Sequence, residues 1–257
     1  MAQTLNGQVG WVTGGGKGIG RAIALHLAAR GARVVVTGRD EKAIAGVVGE
    51  IVNGGGHARH VAGDVRDPAH LEAAVRKTID AFGGLHLVVA NAGVAGRIDI
   101  DGGDRTRADA IFQTNLVGTY ATFAAAVPAM KGPGRLVAVA SGLGKIGVPG
   151  YAAYCASKAG VIGMMRALAQ ELGPRKITAN AVCPGWVDTE MARSGLREIA
   201  EAMGTNEDAA RGMATSAFPL GRFVEPDEVA ELVAFLCSRA GDAITGQALS
   251  ICGGATA

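Results

Sequence analysis

The stretch TGGGKGIG, residues 13–20, follows an apolar run and precedes a helical pattern, which is the context of a phosphate-binding turn. Gly14 would allow a tight turn, Gly18 a close backbone approach to a pyrophosphate, and Gly20 close packing of helix on strand. The helix N-terminus then offers unbonded N–H groups and a positive partial charge to phosphates. We therefore predict a dinucleotide site whose first part is Gly14, Gly16, Lys17, Gly18, Ile19 and Gly20.

Apolar runs alternate with helical patterns along the chain. The strands expected are 8–13, 32–37, 57–63, 85–90, 135–140, 177–182 and 247–251, and the helices are 19–30, 40–53, 68–82, 105–130, 151–172 and 225–238. The central strands are nearly continuous apolar runs, as in strands that are buried on both faces. This alternation predicts an α/β fold, a parallel sheet with helices on both faces.

The domain organisation follows from length and from the lack of any linker. The chain has 257 residues without a break in composition, so we predict a single domain over 1–257. Residues 184–217 interrupt the strand–helix rhythm, and we expect a substrate lid at about 186–217. Its apolar residues recur at roughly helical spacing, and they either pack on the core or line a pocket.

Composition excludes several classes of function. The formal net charge is +2 and no basic stripe is present, so no nucleic-acid partner is expected. No secretory signal opens the chain and no apolar run approaches the roughly 20 residues of a membrane helix, so we expect a cytoplasmic protein without membrane contact. The four cysteines lack paired spacing, and the histidines lack partners at ligand spacing, so no metal site is predicted.

The end of the second strand bears on the choice of cofactor. It reads VVVTGRDE, with Gly38 where NAD-binding sites usually place a carboxylate for the adenosine ribose. Arg39 follows, and a guanidinium can bind a 2′-phosphate through paired hydrogen bonds, with Lys17 as a second positive charge. NADP(H) is therefore favoured over NAD(H). The alternative is that Arg39 is a solvated surface charge and that Asp40 binds the ribose.

Several motifs occur together in a specific order. They are TGGGKGIG, NAG at 91–93, Asn115, Ser141, Tyr154-x-x-x-Lys158 and PG at 184–185, and together they resemble the short-chain dehydrogenase/reductase family over essentially the whole chain. The resemblance implies a Rossmann-type, doubly wound sheet of seven strands and a bound nicotinamide dinucleotide. It also implies a catalytic group made of Asn115, Ser141, Tyr154 and Lys158.

The resemblance assigns further cofactor contacts by position. Asp64 and Val65 follow the third strand, where the family contacts adenine, although a plain turn aspartate is an equal reading of Asp64. The remaining positions are Asn91, Ala92, Gly93, Tyr154, Lys158, Pro184, Gly185, Val187 and Thr189.

Two tyrosines precede Lys158, and helical spacing separates their roles. Tyr154 lies four residues from Lys158 on the same helix face, whereas Tyr151 is seven residues away. We therefore predict that Tyr154 is the general acid, with a pKa lowered by the Lys158 ammonium and by an oxidised nicotinamide. Ser141 would hydrogen-bond the substrate oxygen. By resemblance, Lys158 also binds the nicotinamide ribose and Asn115 holds a water in a proton relay.

The predicted function is an NADPH-dependent ketoreductase that acts on a β-ketoacyl thioester or related ketone. The chain resembles β-ketoacyl-acyl carrier protein reductases and polyketide ketoreductases, although Cys252 stands where many relatives have Asp before the final Gly-Gly. One alternative is an NAD-dependent secondary alcohol dehydrogenase of a catabolic pathway, and another is a dinucleotide-binding regulator without catalysis. The expected partners are a small keto or hydroxy substrate and, by resemblance, three further copies in a homotetramer.

Overall fold

Seven parallel strands form one sheet in the order β3-β2-β1-β4-β5-β6-β7. The strands are β1 Val9–Thr13, β2 Arg33–Gly38, β3 His57–Ala62, β4 Leu87–Ala90, β5 Gly134–Val139, β6 Ile177–Pro184 and β7 Ala248–Ile251. The computed structural model describes residues 3–216 and 218–256. The strand order reverses at β1, which pairs with both β2 and β4, so a ligand crevice opens at the carboxyl ends of β1 and β4.

Helices cover both faces of this sheet. They are α1 Gly18–Ala29, α2 Glu41–Asn53, α3 Pro68–Phe82, α4 Arg105–Phe112, α5 Gly118–Ala126, α6 Ala152–Leu172, α7 Glu190–Met203, α8 Glu207–Ser216 and α9 Pro226–Cys237. Alternate residues of β2 enter opposite cores: Val34 and Val36 pack in one cluster with α1 and α9, and Val35 packs in the other with α3 and α6. The doubly wound α/β fold is thereby confirmed, and burial on both faces explains the continuous apolar runs.

Helix starts agree with the capping signals in the sequence. The Asp67 carboxylate accepts a hydrogen bond from the Ala69 amide at 3.0 Å, and Pro68 takes the first helical position of α3. At α9, the Glu228 carboxylate accepts from the Glu225 backbone N–H at 2.8 Å. These local bonds satisfy amides that a helix leaves unpaired at its start.

The long helix expected at 105–130 is interrupted. A π-helical turn, Gln113–Val117, separates α4 from α5, and a short 3₁₀ turn, Val127–Ala129, closes the segment. Asn115 lies in the π turn, and its side chain bonds the backbone of Val94 in the loop after β4. Insertion of a side-chain contact is a recognised cause of such bulges.

The predicted lid segment contains α7 and α8. Leu196 is fully buried in a small apolar cluster with Phe223, and Trp186 stacks on Phe223 with ring centroids 5.5 Å apart. Met191 and Met203 stay about half exposed. Of the apolar residues in the predicted lid, Leu196 and Trp186 pack in this cluster, whereas Met191 and Met203 lie largely at the surface. In residues 3–216 and 218–256, no helix has both the length and the apolar character needed to cross a bilayer.

Candidate active site

The glycine turn is held by contacts from the strand that pairs with β1. The Asn91 side-chain amide donates to the carbonyl oxygens of Thr13 at 3.1 Å and Gly14 at 3.0 Å. The Thr13 hydroxyl in turn accepts from the backbone amides of Asn91 and Ala92 at 3.1 and 3.2 Å. Gly14 has a φ of +63°, and a Cβ at Gly20 would overlap its carbonyl oxygen. The Asn91 side chain thus binds the backbone of the glycine turn and holds it in place.

Thr13 opens the TGGGKGIG motif, and its contacts to Asn91 and Ala92 are a role that the sequence analysis did not assign to it. Its side chain is 1% exposed although it is polar and ends a strand of otherwise apolar residues. A buried hydroxyl at the carboxyl end of a strand is the signal that could have identified it, because such a group needs a partner.

The N-terminus of α1 is suited to an anion. Its N-cap residue is Lys17, which is exposed and makes no side-chain capping bond. A Cβ at Gly18 would lie 3.1 Å from the Thr189 methyl carbon, so the turn faces the first residue before α7. The free amides, the helix dipole and the Lys17 charge could together hold a diphosphate.

The end of β2 presents a guanidinium. Asp40 caps α2, because its carboxylate accepts from the Ala43 amide at 3.0 Å. Arg39 is exposed and has no hydrogen-bond or salt-bridge partner in the part of the chain that the structure describes. Arg39 is thus available to an anionic ligand, whereas Asp40 is already engaged.

The loop after β3 lies beside Arg39. The Asp64 carboxylate accepts from Arg66 at 2.7 Å, and this bond, with a smaller contribution from Arg39, lowers the pKa of Asp64. Val65 is buried, and a Cβ at Gly118 would lie 2.7 Å from one of its methyl carbons. Asp64 is therefore occupied by Arg66, while Val65 packs against the start of α5.

Lys158 is almost fully buried in α6, with 5% of its surface exposed. Its ammonium donates to the Val139 carbonyl oxygen at 2.8 Å and lies 5.8 Å from the centre of the Tyr154 ring. Burial lowers the pKa of Lys158 to about 8, so the side chain is mostly charged at neutral pH. The predicted tyrosine–lysine pair is thus brought together.

Tyr154 also lies beside Ser141, which follows β5. Burial raises the pKa of the Tyr154 phenol, and the nearby Ser141 hydroxyl partly offsets the rise. This direction is opposite to the lowering expected from the Lys158 charge, because that expectation left out the loss of solvent around the phenol. At neutral pH Tyr154 is therefore protonated and can donate a proton. The Ser141 hydroxyl itself accepts from the Leu143 amide at 3.1 Å.

The Asn115 side chain is fully buried and has protein partners at both its oxygen and its amide nitrogen. Its oxygen accepts from the Val94 amide at 2.8 Å, and its amide donates to the Val94 carbonyl at 2.9 Å and to the Ser157 hydroxyl at 3.2 Å. A Cβ at Gly93 would lie 3.3 Å from the Asn115 oxygen and 3.5 Å from the Lys158 nitrogen. Gly93 thus leaves a gap that these two polar atoms share.

The residues after β6 lie on the far side of the crevice. A Cβ at Gly185 would lie 2.9 Å from Cys252 Cα, and Val187 forms an isolated bridge with Val224. Pro184 ends β6 next to this point, and Ile19 lies in the first turn of α1.

The four cysteines are free thiols, and residues 3–216 and 218–256 contain no cluster of three or more side chains suited to a metal ion.

Comparisons with known proteins identify the family. Residues 14–256 match the family model described as enoyl-(acyl carrier protein) reductase. The chain is 36% identical to the 3-oxoacyl-[acyl-carrier-protein] reductase of Vibrio cholerae, over 97% of this chain and 98% of that protein. A crystal structure of an actinorhodin polyketide ketoreductase variant with NADPH superposes with a TM-score of 0.94 at 37% identity, covering 100% of this chain and 99% of the other.

A short-chain dehydrogenase from Burkholderia cenocepacia, solved in complex with NADP, superposes with a TM-score of 0.88 at 36% identity and covers 99% of this chain and 100% of the other. Coverage is nearly complete in each comparison, so the likeness includes the crevice as well as the sheet. From the matched family model, these identities and the shared fold, the chain belongs to the short-chain dehydrogenase/reductase family of oxidoreductases.

Proposed function

We propose that this protein is an NADPH-dependent ketoreductase that reduces a β-ketoacyl thioester or a related ketone. The observation that carries the proposal is the buried Lys158 ammonium, which lies 5.8 Å from the centre of the Tyr154 ring, with Ser141 near the Tyr154 phenol. The names of the relatives support the same reaction class, since they include a 3-oxoacyl-[acyl-carrier-protein] reductase and a polyketide ketoreductase.

The preference for NADP(H) is supported by the charges at the ends of β2 and β3. Arg39 is exposed and adds a guanidinium near Asp64, whose own charge is paired with Arg66. Asp40, the alternative ribose ligand, caps α2. A 2′-phosphate would therefore meet an available cation, and the neighbouring carboxylates Asp40 and Asp64 already accept hydrogen bonds from Ala43 and Arg66. Two structural neighbours were solved with NADPH and with NADP.

The residues that fit the rest of the cofactor line the same crevice. The amides at the α1 N-terminus would bind the diphosphate, Val65 and Asn91 would flank the adenosine half, and Thr189 would close over the glycine turn. The remaining cofactor contacts that we propose are Gly14, Gly16, Lys17, Gly18, Ile19, Gly20, Asp64, Ala92, Gly93, Pro184, Gly185 and Val187.

The chemistry of this chain's own residues follows from their protonation states. The bound dinucleotide would supply the hydride to the carbonyl carbon. Tyr154 would donate its phenolic proton to the carbonyl oxygen, and Ser141 would donate a hydrogen bond to the same oxygen as its charge develops. The Lys158 ammonium would then stabilise the phenolate that remains. Asn115 would fix the Val94 backbone, and its oxygen, which accepts one hydrogen bond from the protein and borders the gap at Gly93, would hold a water of the proton relay.

We further propose that residues 1–257 act as one domain with a lid at 186–217, and that the protein is a homotetramer. Val117 at the end of the π turn and Tyr120 on α5 are 44% and 60% exposed. The outward face of α6 carries small residues, Ala152, Ala156, Ala159 and Gly163. Exposed apolar and small residues of this kind suit close packing between subunits. Light scattering on the purified protein would measure the assembly directly.

The test of function compares two tyrosines that differ in their relation to Lys158. Consumption of NADPH and of NADH is measured with β-ketoacyl thioesters, bicyclic ketones and simple ketoesters. We expect faster turnover with NADPH, a loss of at least about 100-fold in kcat for Tyr154→Phe, and retention of most activity in the matched control Tyr151→Phe. A preference for NADH would favour the dehydrogenase alternative, and cofactor binding without turnover of any carbonyl would favour a regulator.

A further inference from the structure

Asp188 joins both lid helices to the segment that follows β6. Its carboxylate accepts a hydrogen bond from Arg211 of α8 at 3.0 Å and another from Arg193 of α7 at 3.3 Å. Its backbone N–H donates to the Val224 carbonyl at 3.0 Å, beside the bridge between Val187 and Val224. The bond from Arg211 lowers the pKa of Asp188, so the carboxylate is charged at neutral pH. One side chain therefore ties α7 and α8 to the end of the sheet.

The segment that Asp188 anchors reaches the glycine turn. Thr189 follows directly, and a Cβ at Gly18 would lie 3.1 Å from the Thr189 methyl carbon. The Thr189 hydroxyl donates to the Val187 carbonyl at 3.2 Å and accepts from the Ala192 amide at 3.4 Å, at the start of α7. Thr189 therefore lies where the lid meets the diphosphate end of the proposed cofactor site.

The lid does not depend on these ion pairs for its packing. Leu196 is fully buried with Phe223 in the apolar cluster of the lid, and the Arg211 guanidinium lies 4.4 Å from the centre of the Phe223 ring. The side chains of Arg193 and Arg211 are 52% and 39% exposed, and ion pairs this accessible to water contribute little to stability. The ion pairs therefore bear on where the segment after β6 is held more than on whether the lid folds.

We infer that Asp188 is a positioning residue that holds Thr189 against the glycine turn and so strengthens the binding of the nicotinamide half of NADP(H). Its two ion pairs fix the segment after β6 between the lid helices, and Thr189 is the residue of that segment next to the turn. Asp188 acts through Thr189 and not by contact with the ligand. The inference rests on the proposed function, since it concerns the proposed cofactor site.

The sign of the effect separates this role from that of charge alone. If only the charge mattered, removing a carboxylate beside the diphosphate would strengthen the binding of an anionic cofactor. The positioning role of Asp188 requires the opposite result, because a loosened Thr189 would lose its contact with the glycine turn.

The experiment measures two dissociation constants, that of NADPH by fluorescence titration and that of adenosine 2′,5′-bisphosphate by calorimetry. The second ligand keeps the adenosine half with its 2′-phosphate and lacks the nicotinamide half. In Asp188→Asn we expect the Kd for NADPH to rise about five-fold, the order of effect of losing one hydrogen bond, and the Kd for the bisphosphate to stay within about two-fold. A general loosening of the fold would weaken the binding of both ligands.

The matched control is Asp208→Asn. Asp208 lies on α8, is exposed, and makes no salt bridge in the part of the chain that the structure describes. The control removes the same charge from the lid, and both dissociation constants should stay within about two-fold of the wild type. In a Thr189→Ala background, Asp188→Asn should raise the Kd for NADPH by less than about two-fold, because residues that act as a unit are not additive.

Four results would overturn the inference: an unchanged or lower Kd for NADPH in Asp188→Asn, an equal rise for both ligands, an equal rise in Asp208→Asn, or an undiminished rise in the Thr189→Ala background. Binding is measured without a ketone. A wild type that binds NADPH but reduces no carbonyl would therefore refute the proposed ketoreductase function separately from the role of Asp188.

Discussion

Replacing Asn115 by alanine tests whether the π turn is held by a single side chain. The substitution removes three hydrogen bonds, two to the backbone of Val94 and one to Ser157. It also leaves the Val94 N–H and carbonyl without these partners in a part-buried position. No other side chain bridges the π turn to the loop after β4 among the hydrogen bonds of the described residues.

The expected cost follows from the number of bonds. A typical hydrogen bond contributes about 1 kcal/mol net, and a buried polar group left unpaired costs about 1–3 kcal/mol. We therefore expect Asn115→Ala to lower the free energy of unfolding by roughly 3 kcal/mol. Turnover should fall as well, because the Val94 loop borders Lys158 and the rim of the crevice.

Urea unfolding measures this loss, with an unchanged m-value showing that the same surface is exposed on unfolding. The matched control is Gln113→Ala, an exposed residue of the same π turn, which should change stability by less than about 0.5 kcal/mol. A loss below about 1 kcal/mol in Asn115→Ala, or a loss equal to that of Gln113→Ala, would refute the view that Asn115 holds the turn.

Three further substitutions test the site. Lys158→Met should abolish turnover yet raise the free energy of unfolding at pH 7 by about 2 kcal/mol. Burial lowers the ammonium pKa from 10.5 to about 8, which corresponds to a cost of roughly 3 kcal/mol for the charged form, and the hydrogen bond to Val139 offsets part of that cost. Between pH 8 and 10.5 Lys158 is deprotonated in the folded protein but still protonated in the unfolded chain, so the free energy of unfolding of the wild type rises with pH. The difference in free energy of unfolding between Lys158→Met and the wild type, measured by urea titration, should therefore shrink over this range, and a constant difference would contradict the assignment. Arg39→Ala should lower kcat/KM for NADPH about 10- to 100-fold with little change for NADH, and equal losses with both cofactors would exclude a 2′-phosphate contact. Gly20→Ala should destabilise the fold and weaken NADPH binding, as measured by thermal unfolding and fluorescence titration, whereas native-like values would mean that the turn has room for a methyl group.

The sequence predicted the sheet well because its signals are local. Val34, Val35 and Val36 form a continuous apolar run, and each is fully buried in β2. Asp67 and Pro68 mark the start of α3 for equally local reasons, a capping carboxylate and a residue that needs no amide partner. The doubly wound arrangement of the strands was implied by the family resemblance and not by these local signals.

The features that escaped prediction depend on contacts between distant segments. The π turn is accompanied by hydrogen bonds from Asn115 to Val94, which lies 21 residues earlier in the sequence. The helical pattern of residues 105–130 contains no signal that predicts this interruption. The Glu198–Arg107 pair likewise joins positions that are 91 residues apart in the sequence. The raised pKa of Tyr154 has a similar origin, since it depends on burial in the assembled crevice and not on the neighbouring lysine alone.

The position of Lys158 is better explained by chemistry than by stability. A buried ammonium costs free energy, and only one protein carbonyl, that of Val139, accepts a hydrogen bond from it among the described residues. Gly93 leaves the side of the cation that faces Asn115 open, where any larger residue would bring a side chain within 3.5 Å. The ammonium of Lys158 therefore has donors left for a hydroxylated ligand in this gap, and its charge can stabilise a Tyr154 phenolate. Replacing Gly93 by alanine, which fills this gap, should therefore lower kcat by a larger factor than it lowers the folding equilibrium constant measured by urea unfolding.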